Sequence, residues 1–358
     1  LSEEKLFAFD TETTGLDPFT AQLVGMSFSY IEGEAIYVPV KVTHEEPEET
    51  TGGLFDMEQK EERLTQNEDK LGVRFALNHL KPLLESNEIK KVGHNIKFDY
   101  LIMRNYGIEM QNLFFDSMIG GFIYNPDGAV SMDAMSLKYL DYEPVHITEL
   151  IGKGKNQLTM ADVDVDIVSE YAAEDADITL QLYHKIKYEL QKIALYKLCT
   201  DIEFPLIKVI AEMEFRGVKV DEKILHLIDI EIVKLIDEYE KKIYSLAGEK
   251  FNINSTAQLS HILFDVLKLQ PVKKTKTGYS TDSGVLEELK SQHQIAEILI
   301  YYRMLTKIKS TYVEGLGKAI NKKTGRVHTS FNQIGTATGR MSSNNPNLQN
   351  IPVRTEIG

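Results

Sequence analysis

The amino-acid sequence predicts an α/β layered domain followed by a mainly α-helical one. Three observations carry this reading: strand-like apolar runs alternate with helix-spaced ones in the first half, long amphipathic helices fill the second, and the charge changes sign between them. Residues 1–190 hold 16 Lys and Arg against 35 Asp and Glu, net −19, whereas residues 191–358 hold 24 against 19, net +5. A boundary is expected near residue 190. The 358 residues suffice for two cores, because domains usually run to about 100–200 residues.

KLFAFDTET, QLVGMSFSY and EAIYVPV read as three successive strands, joined by turns such as Asp17-Pro18 and Glu32-Gly33. An acidic insertion follows at about 41–71, where EEPEE, MEQKEE and NED recur around Gly52-Gly53; it reads as a solvated segment without chemistry. Phe75–Leu84 has helical spacing, IKKVGHN is a short strand, and Ile96–Tyr106 is a helix. A proline-free helix then runs from about Asp166 to Ile193. In the second half, helices are expected at roughly 202–215, 221–247, 255–268 and 294–316, punctuated by Arg216-Gly217 and KKTKTGYST. A short strand, RVHTSF, leads into a loop rich in Gly, Ser, Asn and Pro.

The single cysteine, Cys199, excludes an internal disulfide, and no run of about 18 apolar residues exists to cross a bilayer, so no membrane partner is expected. A reducing cytoplasm is expected, and nothing demands a dimer, so a monomer is too. The opening LSEEK lacks the basic start and hydrophobic run of a signal peptide, and a start without Met points to an excised fragment. The overall charge of −14 disfavours nucleic acid at first sight, but the basic second half keeps that partner open.

The chemistry concentrates in carboxylates. In FAFDTET, Asp10 and Glu12 stand two apart on a strand, so both side chains leave the same face. Adjacent carboxylates repel: without cations at least one pKa should rise, and a bound divalent metal would favour ionisation of both. A D-x-E at a strand end also suits a helix cap or a surface turn. In GHNIKFD, Asp99 lies in the first turn of a helix, where it could bind metal or merely answer the helix dipole. In YAAED, Tyr171 and Asp175 stand four apart on one helical face, although Tyr171 also fits as an ordinary half-buried residue. Glu174 and Asp177 point elsewhere on that helix.

Taken in order, DTE, NIKFD and YAAED match the three motifs of the DEDD exonuclease superfamily, and the tyrosine places them in its DEDY branch. From about Lys5 to its end the chain resembles the large fragment of bacterial DNA polymerase I, a family A polymerase. EIKKVGHNIKFD, GKGKNQLTM, YAAEDADITLQLY, FNINSTAQL and GRMSSNNPNLQNIPVR follow that family in order.

The resemblance implies a ribonuclease H-like mixed sheet with flanking helices, followed by the thumb and the beginning of the palm of a polymerase domain. It implies a 3'→5' proofreading exonuclease using two divalent cations, Mg²⁺ or Mn²⁺, which oxygen ligands suit. Asp10 would bridge both metals, Glu12 and Asp175 would complete the site that activates water, and Asp99 would support the second metal, through coordinated water. Tyr171 would hold the attacking water by a hydrogen bond. The acidic module would admit a single-stranded or frayed 3' DNA end, with Leu16 wedged against the terminal bases and Asn95 and Lys97 touching the strand. For Leu16, plain packing is the competing explanation.

On the polymerase side the resemblance implies grip on a primer-template duplex. Lys273, Lys274 and Lys276 sit in a tip that could hold phosphates, a solvated loop being the alternative. Arg340, Asn347, Gln349 and Asn350 offer donors to the minor groove, although Asn and Ser in such a loop also cap turns. The family's ligands for nucleotide transfer are expected beyond Gly358, so this fragment should not polymerise. Two rival functions share the motifs: an RNA 3' exonuclease of the ribonuclease D type, which the sequence after residue 190 disfavours, and a DNA-binding remnant, which five intact motif residues disfavour.

Overall fold

In the computed structural model of the chain, residues 5–42, 71–275 and 278–352 are described; residues 43–70 of the acidic insertion and Lys276 lie outside them. Two compact units emerge, one comprising Leu1–Phe215 and Asn332–Met341, the other Arg216–Phe331 and Ser342–Gly358.

The first unit is built on a five-stranded mixed sheet. Its strands are β1 (Leu6–Thr13), β2 (Leu23–Ile31), β3 (Glu34–Pro39), β4 (Lys90–Gly93) and β5 (Leu113–Asp116), in the order β3-β2-β1-β4-β5. The β1–β2 and β2–β3 pairs are antiparallel; β1–β4 and β4–β5 are parallel. Helices lie on both faces, so β1 must be apolar on both sides. Leu6 and Ala8 join a core with Ile178, Leu182 and Ile186 of the long helix, whereas Phe7 and Phe9 join a second core with Leu77, Tyr100 and Leu101.

The helices supplying those cores are α1 (Val73–Leu84), α2 (Ile96–Asn105), α3 (Ser117–Tyr124), α4 (Met132–Leu140), α5 (Val165–Lys192) and α6 (Phe204–Arg216). The stretch from β5 through α4 is structure that apolar spacing alone did not reveal. Helix α6 accounts for the unit's reach past residue 190: Phe204 and Ile207 enter the first core and Ala211 the second.

The second unit is mainly helical. Helix α7 (Glu222–Ala247) and helix α8 (Ile295–Lys307) meet around Ile243, Leu299 and Tyr302, and a small sheet joins 218–219, 326–327 and 320–321. Among the described residues no helix is long and apolar enough to cross a membrane.

Candidate active site

Strand parity decides where the DTE carboxylates go. Asp10 and Glu12 share the face of Leu6 and Ala8, which is the face covered by α5. Helix α5 presents Tyr171 and Asp175 one turn apart. One carboxylate oxygen from each of Asp10, Glu12 and Asp175 lies within 4.8 Å of the others, a grouping able to hold a metal ion.

Burial makes this cluster reluctant to ionise. It is the largest cause of each shift: the Asp10 carboxyl is pushed up to about 7, and Glu12 and Asp175 rise well above the usual range, helped by mutual repulsion with Asp10. Tyr171 donates a hydrogen bond to Asp175, and burial together with the neighbouring carboxylates pushes its phenol far above its ordinary value, so it keeps its proton. All the ligands are carboxylate oxygens, so the donor set fits a hard divalent cation.

Asp99 is held apart from that trio. It approaches from the opposite face of β1, where Thr11 donates from its backbone N at 3.1 Å and from Oγ1 at 2.6 Å to Asp99 Oδ1. Burial and the charge of Asp10 raise its pKa as well. Asp99 is aimed by a neighbour of its helix: the buried Asp116 accepts from Ile96 N at 2.8 Å through Oδ2 and from Ile119 N at 2.9 Å through Oδ1, so one carboxylate caps the starts of both α2 and α3.

The other expected contacts separate. Leu16 is 93% exposed, on a turn that Asp17 ties to Phe19 N and Thr20 Oγ1, so plain packing does not account for it. Asn95 adopts a left-handed conformation before α2. Lys97 Nζ sits 2.6 Å from Glu214 Oε1, and Glu214 is buried, so the ammonium neutralises a charge inside the unit. Glu174 turns away from the cluster to accept from Tyr142 and Val145 N, and Asp177 accepts from Gly33 N and Gln181.

Arg340 belongs to the first unit; Asn347, Gln349 and Asn350 belong to the second. Asn347 Oδ1 accepts from Ser343 Oγ and Gln349 N, which is the turn-capping role open to it, and the Asn350 carbonyl accepts from Tyr312. Lys273 pairs with Asp282 at 3.1 Å, and Lys274 is exposed.

Sequence reasoning missed Thr11 and Tyr37. The middle residue of D-T-E had a signal, because alternation sends it to the opposite face. Tyr37 had none, because only the pairing of β3 with β2 and of β2 with β1 sets it in line with Ser27 and Asp10.

A family model described as 3'-5' exonuclease matches residues 1–191, and one described as DNA polymerase family A matches residues 222–358. The DNA polymerase I of Treponema pallidum is 39% identical over 98% of this chain, and that of Pseudomonas aeruginosa is 38% identical over 100%. The chain spans only 36% and 38% of those proteins' lengths. In structure it is similar to the POL domain of Pol1 from M. smegmatis, solved in complex with DNA primer-template and dNTP, with a TM-score of 0.76 at 26% identity over 99% of this chain and 54% of that one. With more than half of its length matched by the exonuclease model, the chain belongs to the 3'-5' exonuclease family, and it is similar over nearly its whole length to part of bacterial DNA polymerases I.

Proposed function

We propose that the chain removes nucleotides one at a time from 3' DNA ends by metal-dependent hydrolysis, as the proofreading part of a DNA polymerase. The observation that carries this reading is the convergence of Asp10, Glu12 and Asp175, from a strand and a helix distant in sequence, on one oxygen-lined point. Two divalent cations bound there, Mg²⁺ or Mn²⁺, would supply Lewis-acid polarisation of the phosphodiester and stabilisation of the departing 3' oxygen.

The chain's own groups do the remainder. Asp10, Glu12 and Asp175 would hold the cations, and Asp99, fixed by Thr11, would support them. Tyr171 spends its proton on Asp175, which leaves its oxygen lone pair to accept from the attacking water and turn it toward phosphorus. A hydroxyl that donates its proton to Asp175 can orient that water, which is the role given to Tyr171. Leu16 offers its exposed side chain to the terminal bases, which favours an unpaired 3' end. A primer-template duplex is proposed as the partner of Gln349 and Asn350 in the second unit, with Asn347 shaping the turn, and DNA as that of Arg340 in the first.

A 5'-labelled single-stranded DNA oligonucleotide incubated with the chain and Mg²⁺ tests this reading. A ladder shortening from the 3' end, absent with chelator and with Asp10→Ala, is expected. No shortening by folded protein in either Mg²⁺ or Mn²⁺ would leave a DNA-binding remnant as the function.

A further inference from the structure

Beside the carboxylate cluster stands a second phenol that the family motifs do not include. Tyr37 lies on β3, one strand beyond β2, in line with Ser27 and Asp10 across the sheet; in the next row Pro39, Gly25 and Glu12 are aligned. The ring of Tyr37 leans from its own row over Gly25. A Cβ added to Gly25 would stand 2.1 Å from the Tyr37 hydroxyl oxygen and 2.3 Å from the ring carbon that bears it, so the phenol occupies the notch that the missing side chain leaves.

Side chains directly opposite on neighbouring strands have Cβ atoms about 4.5–5.5 Å apart. The hydroxyl, seated where the side chain of Gly25 would begin, is therefore within reach of the Glu12 carboxylate. Electrostatics agree: after burial, Glu12 and then Asp10 are the charges that hold the Tyr37 phenol protonated. Tyr37 and Tyr171 pack against the same small apolar cluster of Val24, Ile151, Met160 and Val168. The two hydroxyls differ in engagement. That of Tyr171 is given to Asp175, whereas that of Tyr37 makes no hydrogen bond with a described residue.

We infer that Tyr37 is a positioning residue for Glu12, its hydroxyl donating to the Glu12 carboxylate when that group holds a divalent cation. The pair is the sheet-side counterpart of Tyr171 and Asp175. Gly25 is part of the device, since only a residue without a side chain admits the phenol. This inference rests on the proposed metal-dependent activity.

Mn²⁺ binding to the whole chain, measured by titration calorimetry without DNA, tests it. Tyr37→Phe keeps the ring and its packing; it should leave the metal-free melting temperature unchanged and weaken Mn²⁺ binding about tenfold, the lower end for loss of a ligand's supporting hydrogen bond. The strand-shortening rate of this variant should recover as Mn²⁺ is raised. Gly25→Ala, which displaces the phenol, should weaken binding to a similar extent and add nothing in a Tyr37→Ala background. Wild-type Mn²⁺ affinity in Tyr37→Phe overturns the inference and leaves the metal site standing. Failure of the wild type to bind Mn²⁺, or binding by Asp10→Ala as tight as by the wild type, overturns the metal site itself, and the role of Tyr37 with it.

Discussion

Thr11 grips Asp99 from both its backbone and its side chain, two donors converging on the single oxygen Oδ1. Thr11→Val keeps the strand and removes the shorter of the two bonds. The loss of a hydrogen bond to a buried carboxylate costs about 1–3 kcal/mol, and a ligand freed to turn should slow the strand-shortening reaction about tenfold. Steady-state rates on a 5'-labelled oligonucleotide, set beside thermal melting, check this; an unchanged rate would remove Asp99 from the active set.

Tyr171→Phe should lower the turnover number about a hundredfold, the scale of a misplaced nucleophile, and weaken Mn²⁺ binding about tenfold, because Asp175 loses the hydrogen bond that the phenol donates. Single-turnover kinetics with calorimetry on the same sample separates the two quantities. A large loss of metal affinity with unchanged turnover would reverse the roles given to Tyr171 and Tyr37.

The cluster makes stability depend on pH with a definite sign. Asp10 has a folded-state pKa of about 7 against an ordinary 3.8, and Glu12, Asp99 and Asp175 are raised as well. The folded protein therefore binds more protons than the unfolded chain between these limits, and stability falls as pH rises through them. In chelator, the first unit should melt at a higher temperature at pH 5 than at pH 8, by about 2–4 °C for each kcal/mol. Mg²⁺ should raise the melting temperature at pH 8 and do little at pH 5. An equal effect of Mg²⁺ at both pH values would show that it binds elsewhere.

Leu16→Ser should leave stability within about 0.5 kcal/mol, as surface changes do, because the side chain is 93% exposed. Removal of a mispaired 3' terminus from duplex DNA should slow several-fold. Equal rates for Leu16→Ser and the wild type on the mispaired substrate would show the side chain to be a bystander.

Much of the site was legible because its signals are local. Asp10 and Glu12 are two apart on a strand, Tyr171 and Asp175 four apart on a helix, and both periods survive folding. Other features depend on partners that no local pattern names. Lys97 looked free for a strand contact until Glu214, 117 residues later, arrived against it. Tyr37 reaches the site only because the pairing of β2 with β1 and β3 sets Gly25 between Tyr37 and Glu12. Helix α6 carried the periodicity expected of it, but nothing in that spacing tells which core its buried face will join.

The alternation of β1 between two cores works as an address. A single residue inserted or deleted between Phe7 and Asp10 would leave the composition of the strand almost unchanged, yet it would deliver Asp10 and Glu12 to the side of α2 and send phenylalanines toward α5. Lineages carrying this strand should therefore accept substitutions among Leu6, Phe7, Ala8 and Phe9 far more readily than any change in the number of residues there.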